Sequence, residues 1–151
     1  MRVFTYAALA IWAVLAGAVL PVQAGINIQL RALLGSPVRA SFAQFVVGAL
    51  FLGLLTIFVR EPWPALSALL RGPAWAWAGG VLGACYVVSV VVLVPRLGAA
   101  FAFALVVAGQ MLFSLAIDQF GLFGLVRTPL SPARFAGGLL IVAGVILLRR
   151  S

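Results

Sequence analysis

An all-α protein that crosses a membrane about five times is the fold class this chain predicts, and three observations predict it. Charge is absent from five long runs, residues 3–30, 40–59, 72–95, 97–117 and 135–148. The composition is 66% hydrophobic and only 8% charged. The whole net charge of +8 comes from arginines, and these stand mostly singly at the ends of the apolar runs. A bilayer core takes about 20 apolar residues of helix, and inside it every backbone group must be satisfied within the segment. The first four runs meet that length. All 151 residues read as one transmembrane domain.

The first span is predicted over residues 3–29. Arg2, the apolar run and Val22-Gln23-Ala24 imitate a secretory signal with a small-residue cleavage site. The uncharged stretch continues to Leu30 and the rest of the chain is itself apolar, so an uncleaved helix is expected. The second span is predicted over residues 37–59, with Ser36 as N-cap and Pro37 at the first helical position. Pro62-Trp63-Pro64 opens a segment too short to cross, expected at the interface. The third span begins after Gly72-Pro73 and ends at Pro95-Arg96, and Leu97-Gly98 opens the fourth almost at once. Ser131-Pro132 repeats the serine-proline start for the fifth, which approaches full length if Arg134 snorkels to the headgroups. Trp63, Trp75 and Trp77 suit an interfacial belt.

An odd number of crossings puts Arg2, Arg60, Arg71, Arg127 and Arg134 on one side and Arg31, Arg39, Arg96, Arg149 and Arg150 on the other. The positive-inside rule therefore sets no orientation. One reading is that local placement of charge breaks the tie. The other is insertion both ways and an antiparallel dimer, which would supply the inverted repeats on which many secondary transporters are built. Five helices enclose little and ten could line a path, so a homodimer or a paired homologue is expected.

Polar residues within the spans are few. Pro21 cannot donate to the carbonyl of Gly17, and Gly25 weakens the next turn. Gln23 and Asn27, four apart, share a face beside this expected helix break. An interrupted helix with amides at the gap marks a transporter's binding site; the plainer reading is a kink whose amides bond neighbouring helices. Gln110, Ser114 and Asp118 follow at steps of four in the fourth span and form a stripe expected to reach inward. Asp118 is a candidate coupling group; in an antiparallel dimer it would share a side with the partner's Arg96. Glu61, beside Arg60, reads as a solvated charge. Gly79 and Gly83 make a small-residue seam that Tyr86 continues, either for packing or, through Tyr86, for substrate contact. Gly137 and Gly144 share a face of the fifth span and suit subunit contact or packing within the subunit.

The chain has no histidine and a single cysteine, Cys85. It has no glycine-lysine phosphate loop, no paired carboxylates and no metal-ligand cluster. No enzyme activity, cofactor or metal is therefore expected, and arginines placed at span ends point to membrane lipid rather than nucleic acid as their partner.

Three segments resemble the short YdcZ-type branch of the drug/metabolite transporter superfamily: LPVQAGINIQL at residues 20–30, the stretch 98–121 with AGQ and IDQFG, and the closing GGLLIVAGV. The resemblance implies a five-helix, dimeric exporter of the bacterial inner membrane. The Gly137 and Gly144 spacing is also similar to the dimerising last helix of small multidrug resistance proteins. Those proteins carry a glutamate inside the first helix, whereas this chain has only amides there. The expectation is a small-molecule secondary transporter with Gln23, Asn27, Tyr86, Gln110 and Ser114 at its site, between the first and fourth spans at a dimer interface. The alternative is a non-transporting membrane subunit that assists a partner protein.

Overall fold

A computed structural model describes residues 2–60 and 62–149, and these form helices joined by short connections with no strand among them. Glu61 and Arg150 lie outside the described residues. The helices are α1 (Arg2–Leu34), α2 (Pro37–Val59), α3 (Leu66–Arg71), α4 (Ala78–Leu97), α5 (Ala99–Phe120) and α6 (Pro132–Arg149), with one 3₁₀ turn leading into α4 and another following α5. Four segments have the length and hydropathy to cross a membrane: Thr5–Leu34, Pro37–Val59, Ala74–Leu97 and Ala99–Phe120. The 18 residues of α6 measure about 27 Å at the α-helical rise, close to the ~30 Å hydrocarbon core. Large apolar side chains such as Trp12, Phe58 and Phe113 stand exposed on the helices. Water would oppose that arrangement and lipid tails accept it. The protein is a multi-pass membrane protein.

Local chemistry sets the helix ends. Gly35, at φ +69°, closes α1 with its N–H on the Arg31 carbonyl at 2.9 Å. The Ser36 hydroxyl accepts from the Arg39 N–H, and the Ser131 hydroxyl accepts likewise from the Arg134 N–H. Both serine-proline starts therefore fall where the sequence placed them. Gly98, at φ +79°, is the single residue between α4 and α5.

Two details differ from expectation. α1 extends past Gln29 to Leu34, because an arginine in a last turn faces the negative end of the helix dipole and does not stop the helix. The helix also continues unbroken through Gly17, Pro21 and Gly25. The predicted interruption reduces to one missing hydrogen-bond donor at Pro21.

The chain forms two compact units, Met1–Val92 and Leu93–Ser151, divided inside α4. In the first, α1 packs along α2, with Ala40 and Ser41 buried at the start of α2. Gly83 of α4 meets the ring of Phe45, which lies in ordinary contact distance of a side chain added there, while Gly79 faces open space. In the second, α5 packs along α6. Gly138 fits beneath Leu115 so closely that an added Cβ would stand 3.3 Å from it.

Candidate functional site

Three polar residues of the first unit lie along one face of α1. Gln23, Asn27 and Arg31 recur at steps of four, about 6 Å apart along the axis. Asn27 is 4% exposed, and its Nδ2 donates to Oε1 of Gln44 on α2. A small space of about 10 Å³ lies beside it, lined by Gln23, Asn27 and Tyr86 together with Leu20, Ala24, Val87 and Val90. That volume holds about one water-sized group. The Tyr86 hydroxyl is buried and has no hydrogen-bond partner. Three of the five substrate-site residues expected from sequence, Gln23, Asn27 and Tyr86, therefore share one cavity.

Arg31 extends this face by one turn. Its Nη1 donates to the carbonyl of Val91 at 3.1 Å, and Val91 is fully buried. The bond has a covalent cause. Within α4 the Val91 carbonyl would accept from residue 95, but that residue is a proline and has no N–H. The arginine of one helix satisfies the carbonyl orphaned in another. Sequence reading did not assign roles to Arg31 or Gln44, although signals existed. Arg31 is the next step of four after Asn27, Pro95 stands four after Val91, and Gln44 is the one amide within the uncharged run 40–59.

In the second unit, Gln110 and Ser114 are exposed and only Asp118 is partly buried. Within this unit the stripe does not face α6. The α5 face that meets α6 is occupied by Leu112 and Leu115 around Gly138, and Gln110 and Ser114 fall on the far side of that helix.

Within the chain Asp118 pairs with Arg134 at the start of α6. A second Arg134 nitrogen donates to the Thr128 carbonyl at 2.9 Å. The end of α5 is tied further by Thr128 N–H on the Asp118 carbonyl at 2.8 Å and Arg127 Nε on the Gln119 carbonyl at 3.0 Å. The Leu130 N–H reaches the Gln119 side chain at 2.6 Å. The backbone carbonyls of Asp118 and Gln119 are among those that a helix end leaves open. Gly121, at φ +61°, completes the turn, and a Cβ added there would stand 3.2 Å from the Leu125 carbonyl and 3.3 Å from the Arg127 Cβ. The IDQFG segment is thus the anchor of the α5–α6 connection, and Arg134 is held by it.

A Cβ added at Gly137 or Gly144 would meet nothing within 4 Å. Gly144 lines an open groove of about 550 Å³ between α5 and α6, with Ala100, Phe103, Ala104 and Val107 on its other wall.

A family profile described as "Putative inner membrane exporter, YdcZ" matches residues 8–147. The chain belongs to the YdcZ family. The match spans nearly its full length, and so includes the polar face of α1, Tyr86 and the α5–α6 anchor. It agrees with the membrane-spanning helices and assigns the chain to the inner membrane, among exporters. No curated protein and no solved structure matches the chain.

Proposed function

We propose that this YdcZ-family chain is a secondary transporter of a small molecule, acting as a dimer, with its substrate path along the polar face of α1. The observation that carries this reading is the cavity at Tyr86, where an unpartnered hydroxyl and the Gln23 and Asn27 amides converge inside an apolar helix bundle. A buried polar group without a partner costs about 1–3 kcal/mol, and such groups call for a functional explanation. A transported molecule that bonds to Tyr86 supplies one.

The cavity of a single chain is far too small for a metabolite, so the path needs a second subunit to complete it. Gln110 and Ser114 are polar, lie within a membrane span and are exposed, and polar side chains at that depth find partners in other helices. The open faces at Gly137 and Gly144 allow close backbone approach by the last helix of a partner. The even arginine balance fits an antiparallel arrangement. Asp118 is the group proposed to couple transport to a proton, by exchanging Arg134 for that proton.

Flux across proteoliposomes of the purified protein, screened over small-molecule substrates, tests the reading. Substrate movement that disappears in Asn27→Ala supports it. Stable membrane insertion with no flux for any substrate, and with co-purification of another membrane protein, would establish the rival role of a supporting subunit.

A further inference from the structure

Among the described residues the charge on Arg31 has no acidic counterpart. The one ion pair among them joins Asp118 to Arg134. Arg31 spends one N–H on the Val91 carbonyl, and a guanidinium has five. Its side chain is half-buried and stands one turn from Asn27 and two from Gln23. Arg39, at the same end of the α1–α2 pair, also donates to a backbone carbonyl, that of Leu34 at 3.3 Å, and not to a carboxylate.

We propose that this end of α1 binds the anionic group of a carboxylate- or phosphate-bearing molecule. Arg31 provides the charge-assisted donors, and Asn27 and Gln23 face the uncharged remainder. An arginine's planar fork matches both anions, and a partly desolvated guanidinium gains most from a charged acceptor. A cation fits poorly here, since it would meet a resident positive charge and no carboxylate. This assignment names the substrate class of the α1 path and rests on the transport reading, but its test does not require flux.

The test is binding by the full-length protein. Its melting temperature in uncharged detergent is titrated with benzoate, glycerol phosphate and, as the cationic control, benzylamine at equal ionic strength. The measurement is repeated in phosphatidylcholine nanodiscs with and without phosphatidylglycerol. Stabilisation by the free anions identifies a soluble ligand, whereas stabilisation by phosphatidylglycerol alone identifies a lipid headgroup. No response to any anion, or an equal response to benzylamine, overturns the proposal.

Arg31→Gln also strips the Val91 carbonyl of its donor, so the charge is removed in a Pro95→Ala background, which restores the helical N–H to that carbonyl. The anion response is expected to weaken roughly tenfold or more relative to Pro95→Ala alone; an unchanged response overturns the proposal. Should the double variant fail to fold, Arg31→Lys in the native chain decides. Loss of the fork is expected to weaken the response several-fold, and an equal response overturns the assignment. Anion binding without flux would sink the transport reading alone, and flux without an anion response would sink this one alone.

Discussion

Single side chains in this protein act by completing or leaving open a hydrogen-bond account. The Tyr86 hydroxyl is the open case. Removing it deletes an unsatisfied group, so Tyr86→Phe is expected to keep or raise the melting temperature while substrate flux falls. A parallel loss of both would mark the hydroxyl as structural. Asp118 is the closed case, with Arg134 against it and each side chain about one-third exposed. A pair so placed contributes less than about 1 kcal/mol, and Arg134 keeps its bond to Thr128 when the carboxylate goes. Asp118→Asn should therefore fold with a slightly lower melting temperature. Because an amide never titrates, that variant should show flux independent of pH if Asp118 carries the coupled proton. A wild-type pH profile would leave Asp118 as an anchor alone.

Between helices, small residues decide where contact is made. Gly138 sits under Leu115, whereas a Cβ at Gly137 or Gly144 would have nothing of its own chain within 4 Å. Gly138→Leu is expected to destabilise the α5–α6 pair by about 1–3 kcal/mol, the usual cost of overpacking. Gly137→Leu and Gly144→Leu should leave the melting temperature of the isolated subunit near wild type and lower the dimer fraction measured in detergent. An unchanged dimer fraction would place the subunit contact elsewhere. The amides form the complementary link of the other unit. Asn27 and Gln44 join α1 to α2 within the membrane spans. A double-mutant cycle with alanine at both sites should give a coupling of about 0.6–2 kcal/mol, and a coupling near zero would mean that the two side chains are satisfied independently.

At the scale of the whole molecule, charge decides orientation, and here it is balanced. With Cys85, which is exposed, first replaced by alanine, single cysteines placed at Gly35 or Ser36 report the side on which the α1–α2 connection lies. Under dual insertion they should label from both faces of the membrane, and adding two lysines to one side should collapse the labelling to one face. Labelling of the unmodified chain from one face only would remove the antiparallel dimer from the proposed mechanism.

The helical, membrane-spanning class, four long spans and most of their ends were legible in the chain, because they depend on local chemistry. An uncharged run of membrane length excludes other solutions in lipid, and Ser36-Pro37 and Ser131-Pro132 carry a cap and a pre-set φ within two residues. Gln23 and Asn27 were legible as neighbours for the same reason, since a step of four is a property of one helix. Which polar groups meet across helices was decided only by the tertiary structure. The spans are apolar all round, so hydropathy does not encode how each is rotated about its axis; that rotation follows from contacts such as Gly138 beneath Leu115. It turned Gln110 and Ser114 away from α6, brought Gln44 to Asn27 and Arg134 to Asp118, and set Arg31 against the carbonyl that Pro95 leaves bare.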